Sequence, residues 1–166
     1  MKFDLKKSLK EVAIFVVMLF VISNVISYIR APSLESDTLP ALKMTLLDGS
    51  AFESEALSGK PLVIHFWATW CPACKAEASN IQSLSKSYEV LSIAVRSGSD
   101  EEVASYMKKN GYDFRVFNDS EGVWAERFHV SAFPTTFIFD AHGALKFTEV
   151  GYTTTIGLES RILFLK

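Results

Sequence analysis

The run LVIHFW, Leu62–Trp67, is followed after three residues by CPACKAEASNIQSLSKS, and this junction constrains the fold more than any other stretch. Six nearly all-apolar residues bounded by the turn signal LSGKP read as a strand buried on both faces. From Pro72 to about Ser87 there is no internal glycine, and Ala73, Ala76, Ile81 and Leu84 recur at helical spacing. A doubly buried strand running into a helix needs cover on both sides, which places the chain in the α/β class. The junction also holds both cysteines of the chain, Cys71 and Cys74. One bridge at most can form, so a disulfide scaffold is excluded and a hydrophobic core must supply the stability. With 49% hydrophobic residues in 166, the chain can build one.

The rest of the body alternates strand and helix signals. LKMTLLDGSAF sets Asp48-Gly49 between apolar stretches, a hairpin signal. VLSIAV, Val90–Val95, reads as the next strand. In SDEEVASYMKKNG, Ser99 is an N-cap with Glu102 at capping-box spacing, Lys108 and Lys109 fill the last turn, and Gly111 stops the helix. A short strand at FRVF, a short helix near SEGVWAERF, strands TTFIFD and ALKFTEV joined by DAHG, and a helix from about Thr154 complete the order. This order gives one α/β domain with a mixed central sheet flanked by helices.

The N-terminus is of another kind. Val12–Ile29 is a run of 18 residues without a charge, near the lower limit for crossing a bilayer core. Lys2, Lys6, Lys7 and Lys10 precede it and only Arg30 follows closely, so the positive-inside rule puts the N-terminus in the cytoplasm and the body outside. A cleaved signal peptide would need a small-residue site, which SNVISYIRAP offers poorly. A run apolar all round does not suit a core helix of a soluble domain. The expected organisation is a tail and transmembrane signal anchor over 1–30, a polar linker with two prolines over 31–41, and a folded domain over 42–166. Residues 31–166 carry 12 basic and 17 acidic side chains and no basic stripe, which argues against nucleic-acid binding.

Two cysteines at i and i+3 on a helix start lie within disulfide reach. Cys71 falls at the helix N-terminus, where unpaired N–H groups and the dipole favour a thiolate, making it nucleophile and leaving group. Pro72 suits the first helical position. Cys74, one turn inside, is less exposed and reads as the resolving thiol. A zinc site would want four ligands, and His65, His129 and His142 show no second paired spacing. Two thiolates can also hold cuprous copper, so a copper-binding module is an alternative. A C-x-x-C pair between a buried strand and a helix, in a chain exported to an oxidising compartment, points to redox chemistry.

FWATWCPACKAE resembles the thioredoxin-fold motif, and FPTTFIFDAHG resembles its cis-proline segment. Together with an N-terminal anchor they resemble the TlpA/ResA/CcmG group of membrane-tethered extracytoplasmic thiol–disulfide oxidoreductases, and within it the ScsD-type proteins linked to suppression of copper sensitivity. The resemblance covers about residues 40–166. It implies a thioredoxin fold with an N-terminal hairpin and a TlpA-type central insert at SGSDEEVASYMKKNGYDFRVFNDSEG.

The resemblance also implies roles. Cys71 matches the attacking cysteine, Cys74 the resolving one, and Glu77 an acidic residue near the pair. Helical spacing independently sets Glu77 one turn from Cys74. Pro134 matches the cis-proline beside the disulfide; Trp70, Pro72, Phe133 and Pro134 are the implied substrate contacts, and Trp67 a core aromatic. His65 departs from the pattern, standing where thioredoxins place a buried aspartate. It reads either as a proton shuttle for Cys74 or as a neutral core histidine. The implied function is exchange of the Cys71–Cys74 pair with protein thiols or disulfides, as a specific reductase in cytochrome c maturation or copper stress. An oxidase or isomerase of the same chemistry is the alternative, since Pro72-Ala73 does not set the direction. The expected location is the bacterial inner membrane, single-pass, with the domain on the periplasmic side and a membrane electron-transfer partner. No cofactor is called for.

Overall fold

The computed structural model describes residues 5–32, 34, 36–57 and 59–165. Lys2 of the basic cluster, Ser33 and Glu35 of the linker and Ser58 of the LSGKP turn lie outside them. The elements run α1 (Leu5–Arg30), β1 (Lys43–Thr45), β2 (Ala51–Glu53), a 3-10 turn (Ser54–Leu57), β3 (Leu62–Trp67), α2 (Pro72–Leu84) and β4 (Glu89–Val95). They continue with α3 (Asp100–Asn110), β5 (Val116–Asp119), α4 (Val123–Arg127), β6 (Thr135–Phe139), β7 (Leu145–Val150) and α5 (Thr155–Leu163).

Five strands form the central sheet in the order β5-β4-β3-β6-β7. β3, β4 and β5 are parallel, while β6 and β7 are antiparallel to their neighbours. This is the expected mixed sheet with helices on its faces, a thioredoxin fold. The central insert supplies α3 and the edge strand β5. β3 lies in the middle of the sheet, and all six of its residues are buried. Alternation along the strand sends its residues to opposite faces. Val63 and Trp67 join Ile81, Leu84, Val103, Met107, Leu158 and Ile162 under α2, α3 and α5. Leu62, Ile64 and Phe66 join Phe128, Phe137 and Phe139 on the other face, with Leu42, Met44 and Phe52 of the hairpin. There Phe66, Phe128 and Phe137 pack ring against ring, with centroids 5.2 to 5.8 Å apart.

β1 and β2 pair around Asp48-Gly49 as expected. Asp48 Oδ1 accepts from Ser50 N–H at 2.9 Å, and Gly49 takes a φ of +80° that a side chain would resist. The capping box on α3 is present: Ser99 Oγ accepts from Glu102 N–H and Glu102 Oε2 accepts from Ser99 N–H.

Two boundaries differ from the sequence reading. α2 ends at Leu84 rather than about Ser87, because Ser85–Ser87 close into turns whose N–H groups reach Ile81, Ser83 and Leu84. Serine hydroxyls in this stretch bond nearby carbonyls, competing with helix continuation. β5 starts at Val116, two residues later than the FRVF pattern suggests, since pairing of Val116 with Ser92 sets its register. Phe114 instead turns inward beneath Trp67 and Tyr112.

α1 is long and apolar enough to cross a membrane over Leu9–Ser27. Its final turns lie against the edge strand β7, where Ser27 Oγ accepts from Val150 N–H at 2.9 Å. Beyond it, Asp37 and Leu39 bond the backbone of the β6–β7 turn at Leu145 and Gly143.

Candidate active site

The site forms where β3 hands over to α2. Cys71 is the N-cap of α2, with extended backbone dihedrals (φ −84°, ψ 116°), and Pro72 opens the helix. Cys74 N–H, a helix N–H with no partner inside the helix, donates to Cys71 Sγ at 3.2 Å. The two cysteines are disulfide-bonded, with Cα atoms 5.3 Å apart. Both sulfurs sit in nearly closed surroundings: Cys71 is 5% exposed and Cys74 2%. The order expected from the helix position holds, but the contrast is small.

The loop after Val130 closes over Cys71. The Phe133–Pro134 peptide is cis, as the resemblance implied. The Phe133 carbonyl oxygen lies 3.6 Å from Cys71 Sγ. Trp70 stands edge-on to the Phe133 ring at 5.7 Å and donates its indole N–H to the Arg96 carbonyl at 3.0 Å. Trp70 is exposed while Trp67 is buried and donates to Ser92 Oγ, so the two tryptophans divide into rim and core. Pro72 is exposed and Pro134 buried. Trp70, Phe133 and Pro134 thus gather on the Cys71 side of the disulfide, with Pro72 next to Cys71 in the chain.

Behind the disulfide the polar groups are buried. Glu77 is completely enclosed, not a carboxylate on a solvated face. Its Oε1 accepts from Thr153 N–H at 3.1 Å, and its Oε2 has no hydrogen-bond partner. Burial raises its pKa from 4.5 to about 8; the Thr153 bond opposes this and the charge of Glu149 adds to it. His65 is buried on the α2 side of β3, and its Nδ1 lies 2.9 Å from Thr136 Oγ1. Burial lowers its pKa from 6.5 to about 3, so the imidazole is neutral at physiological pH. Of the two readings left open for His65, these surroundings match the neutral core histidine, with a side-chain hydroxyl as partner.

Of the residues singled out in the sequence, the fold sets Cys71, Pro72 and Cys74 at the start of α2, Trp70, Phe133 and Pro134 beside Cys71, Glu77 one helical turn beyond Cys74, and His65 in the middle of β3. Sequence reasoning missed the groups that hold them. Thr136 pairs with His65 only because β6 lies antiparallel to β3 in that register. The Arg96 carbonyl that fixes Trp70 and the Thr153 N–H that meets Glu77 are backbone groups 26 and 76 residues away, with no local signal. Among the described residues, no three His, Cys, Asp or Glu side chains converge on a point where a metal ion would fit.

A Redoxin family profile matches residues 34–162. A thioredoxin-like protein of Haemophilus influenzae is 33% identical over 96% of each chain. The thiol-disulfide oxidoreductase ResA of Bacillus subtilis is 32% identical, over 66% of this chain and 63% of its own. Among solved structures, a putative thioredoxin from Neisseria meningitidis aligns with a TM-score of 0.70 at 28% identity, covering 79% of this chain and 91% of that one. A disulfide between a helix N-cap cysteine and the cysteine one turn on, in this fold and this company, leaves one conclusion: the chain belongs to the Redoxin family and is a thiol-disulfide oxidoreductase.

Proposed function

We propose that this oxidoreductase works outside the cytoplasmic membrane as a reductase of protein disulfides, tethered by α1. The observation that carries the site chemistry is the placement of a fully buried carboxyl, Glu77, one helical turn beyond Cys74, with one oxygen unpartnered. In the reduced protein the Cys71 thiolate, held by Cys74 N–H and the α2 N-terminus, attacks a substrate disulfide. A mixed disulfide forms at Cys71 and the first substrate thiolate leaves. Cys74 then loses its proton to the Glu77 carboxylate and attacks Cys71 Sγ. The mixed disulfide breaks, the second substrate thiolate leaves, and the Cys71–Cys74 disulfide remains; two electrons have passed to the substrate. A pKa of about 8 places Glu77 close to an ordinary thiol, so proton transfer between them is nearly thermoneutral. Trp70, Phe133 and Pro134 form the wall against which the substrate chain lies. Two electrons must be returned from a membrane carrier, and copper stress or cytochrome c maturation is the physiological setting the resemblance favours.

The test is capture. A Cys74→Ser variant cannot resolve its mixed disulfides and should accumulate protein partners at Cys71, released by reductant. Steady-state alkylation of the wild type in cells should find Cys71 and Cys74 mostly as thiols. A mostly oxidised pair would reverse the direction of electron flow, and no trapped partner would remove protein substrates.

A further inference from the structure

Glu77 Oε1 accepts from Thr153 N–H, which ties it to the turn that carries a second charged group. Thr153 lies in the turn between β7 and α5, and those two elements contribute an ion pair beside it. Arg161 Nε of α5 lies 2.5 Å from Glu149 Oε1 of β7, with the side chains only 22% and 14% exposed. Arg161 is fixed from a second direction, donating through Nη1 to the Gly157 carbonyl at 2.7 Å. Glu149 and Arg161 line a cavity of about 490 Å³ with Thr153, Thr154 and Gly157, while Glu77 stays fully enclosed. The disulfide-exchange chemistry uses neither Glu149 nor Arg161, and no motif pointed to them.

Their arrangement has an electrostatic consequence. Burial disfavours the ionised form of Glu149, and the Arg161 guanidinium counters it. The charge so held acts on Glu77 and favours its protonated form, in the same direction as Glu77's own burial. Two neighbouring carboxyls without a cation would share protons and titrate as one unit. With Arg161 bonded to one of them, the other carries the mobile proton. The other charged and titratable groups on the surrounding elements are Cys74 and Lys75 of α2, His65 of β3, Lys146 of β7, which is paired with Asp140, Tyr152 of the β7–α5 turn, Glu159 of α5, and Arg30 at the end of α1, which lines the same cavity as the ion pair. His65 stays neutral until the pH approaches about 3. The Tyr152 hydroxyl is bonded to Asn80.

We propose that the Arg161–Glu149 ion pair is a positioning element of the redox site: it holds a matched pair of charges beside Glu77 and thereby sets the pH at which Cys74 resolves mixed disulfides. The proposal rests on Glu77 being the proton acceptor of Cys74. Loss of the Glu149 charge removes a repulsion and leaves Arg161 unmatched; both effects favour the Glu77 carboxylate, so resolution reaches full rate at lower pH. Loss of Arg161 leaves Glu149 and Glu77 as one coupled pair whose last proton leaves at higher pH, and resolution needs higher pH.

The test uses the reduced full-length protein and 5,5′-dithiobis(2-nitrobenzoate) in stopped flow. The first thionitrobenzoate released reports attack by Cys71, and the second reports resolution by Cys74. Plotted against pH, the second rate in wild type should rise with a midpoint near 8. Glu149→Gln should lower the midpoint by about half a unit or more, and Arg161→Gln should raise it by a similar amount. The double variant should return close to wild type, and Arg161→Lys should do the same. A structural role alone would change stability or overall rate without opposite shifts. If Arg161→Gln does not fold, Glu149→Gln decides. Any pattern other than opposed shifts, or an unmoved midpoint in Glu149→Gln, overturns the proposal. Survival of the wild-type inflection in Glu77→Gln would instead overturn the reading on which it rests.

Discussion

At the residue scale the two groups behind the disulfide make opposite demands on pH. Glu77 is held protonated by burial, with its pKa raised from 4.5 to about 8. The folded state therefore keeps a proton that the unfolded chain releases. That contribution to stability is fully present below about 4.5 and is lost as the pH rises to about 8. His65 is held neutral, its pKa lowered from 6.5 to about 3, so its contribution is present above 6.5 and is lost as the pH falls towards 3. Urea unfolding of the oxidised protein should show stability falling on both sides, with a limiting slope of about 1.4 kcal/mol per pH unit for each proton. Glu77→Gln should flatten the alkaline side only, and His65→Asn the acid side only. An unchanged alkaline limb in Glu77→Gln would mean that the carboxyl is ionised in the folded state. The cysteines differ in reactivity for another reason. Cys71 Sγ receives the Cys74 N–H and sits on the helix end. Iodoacetamide at mildly acidic pH should label Cys71 of the reduced protein before Cys74; equal labelling would contradict the assigned roles.

At the element scale, local signals sufficed where the local chain decides the structure. The Ser99–Glu102 capping box, the Asp48-Gly49 hairpin and the buried run Leu62–Trp67 all form as their residues suggest. Each satisfies its own hydrogen bonds within a few residues or carries its own hydrophobic pattern. Where partners decide, the sequence was silent. β5 takes its register from β4, and His65 takes Thr136 as partner from the β3–β6 pairing. Glu77 is burial-shifted because the β7–α5 turn covers it, a contact that spans 76 residues. The chain announces a carboxyl near the cysteines, and the fold alone gives that carboxyl its proton affinity. The capping box offers a direct check: Ser99→Ala should cost about 1 kcal/mol of stability in denaturant unfolding. A loss well under half of that would mean that the α3 N-terminus is satisfied in another way.

At the scale of the whole molecule, the fold class, the mixed sheet and the position of the redox pair follow from alternating strand and helix signals and one C-x-x-C junction. What lies beyond the domain rests on α1. Within its span Leu9–Ser27, the described side chains from Leu9 to Ile22 are exposed, as those of a lipid-facing helix would be, while the last turns of α1 meet β7 and bury Ser27. With lysines before it and Arg30 after it, a phosphatase reporter fused after Lys166 should be active outside the cytoplasm. Activity confined to the cytoplasm would remove the tethered, extracytoplasmic reading while leaving the exchange chemistry intact. That chemistry has its own decisive measurement, the rate at which a protein mixed disulfide at Cys71 is released as a function of pH. The account predicts a rise through about pH 8 in wild type, loss of that inflection in Glu77→Gln, and a wild-type profile in His65→Asn. A wild-type profile in Glu77→Gln with an altered one in His65→Asn would contradict it and make His65 the base.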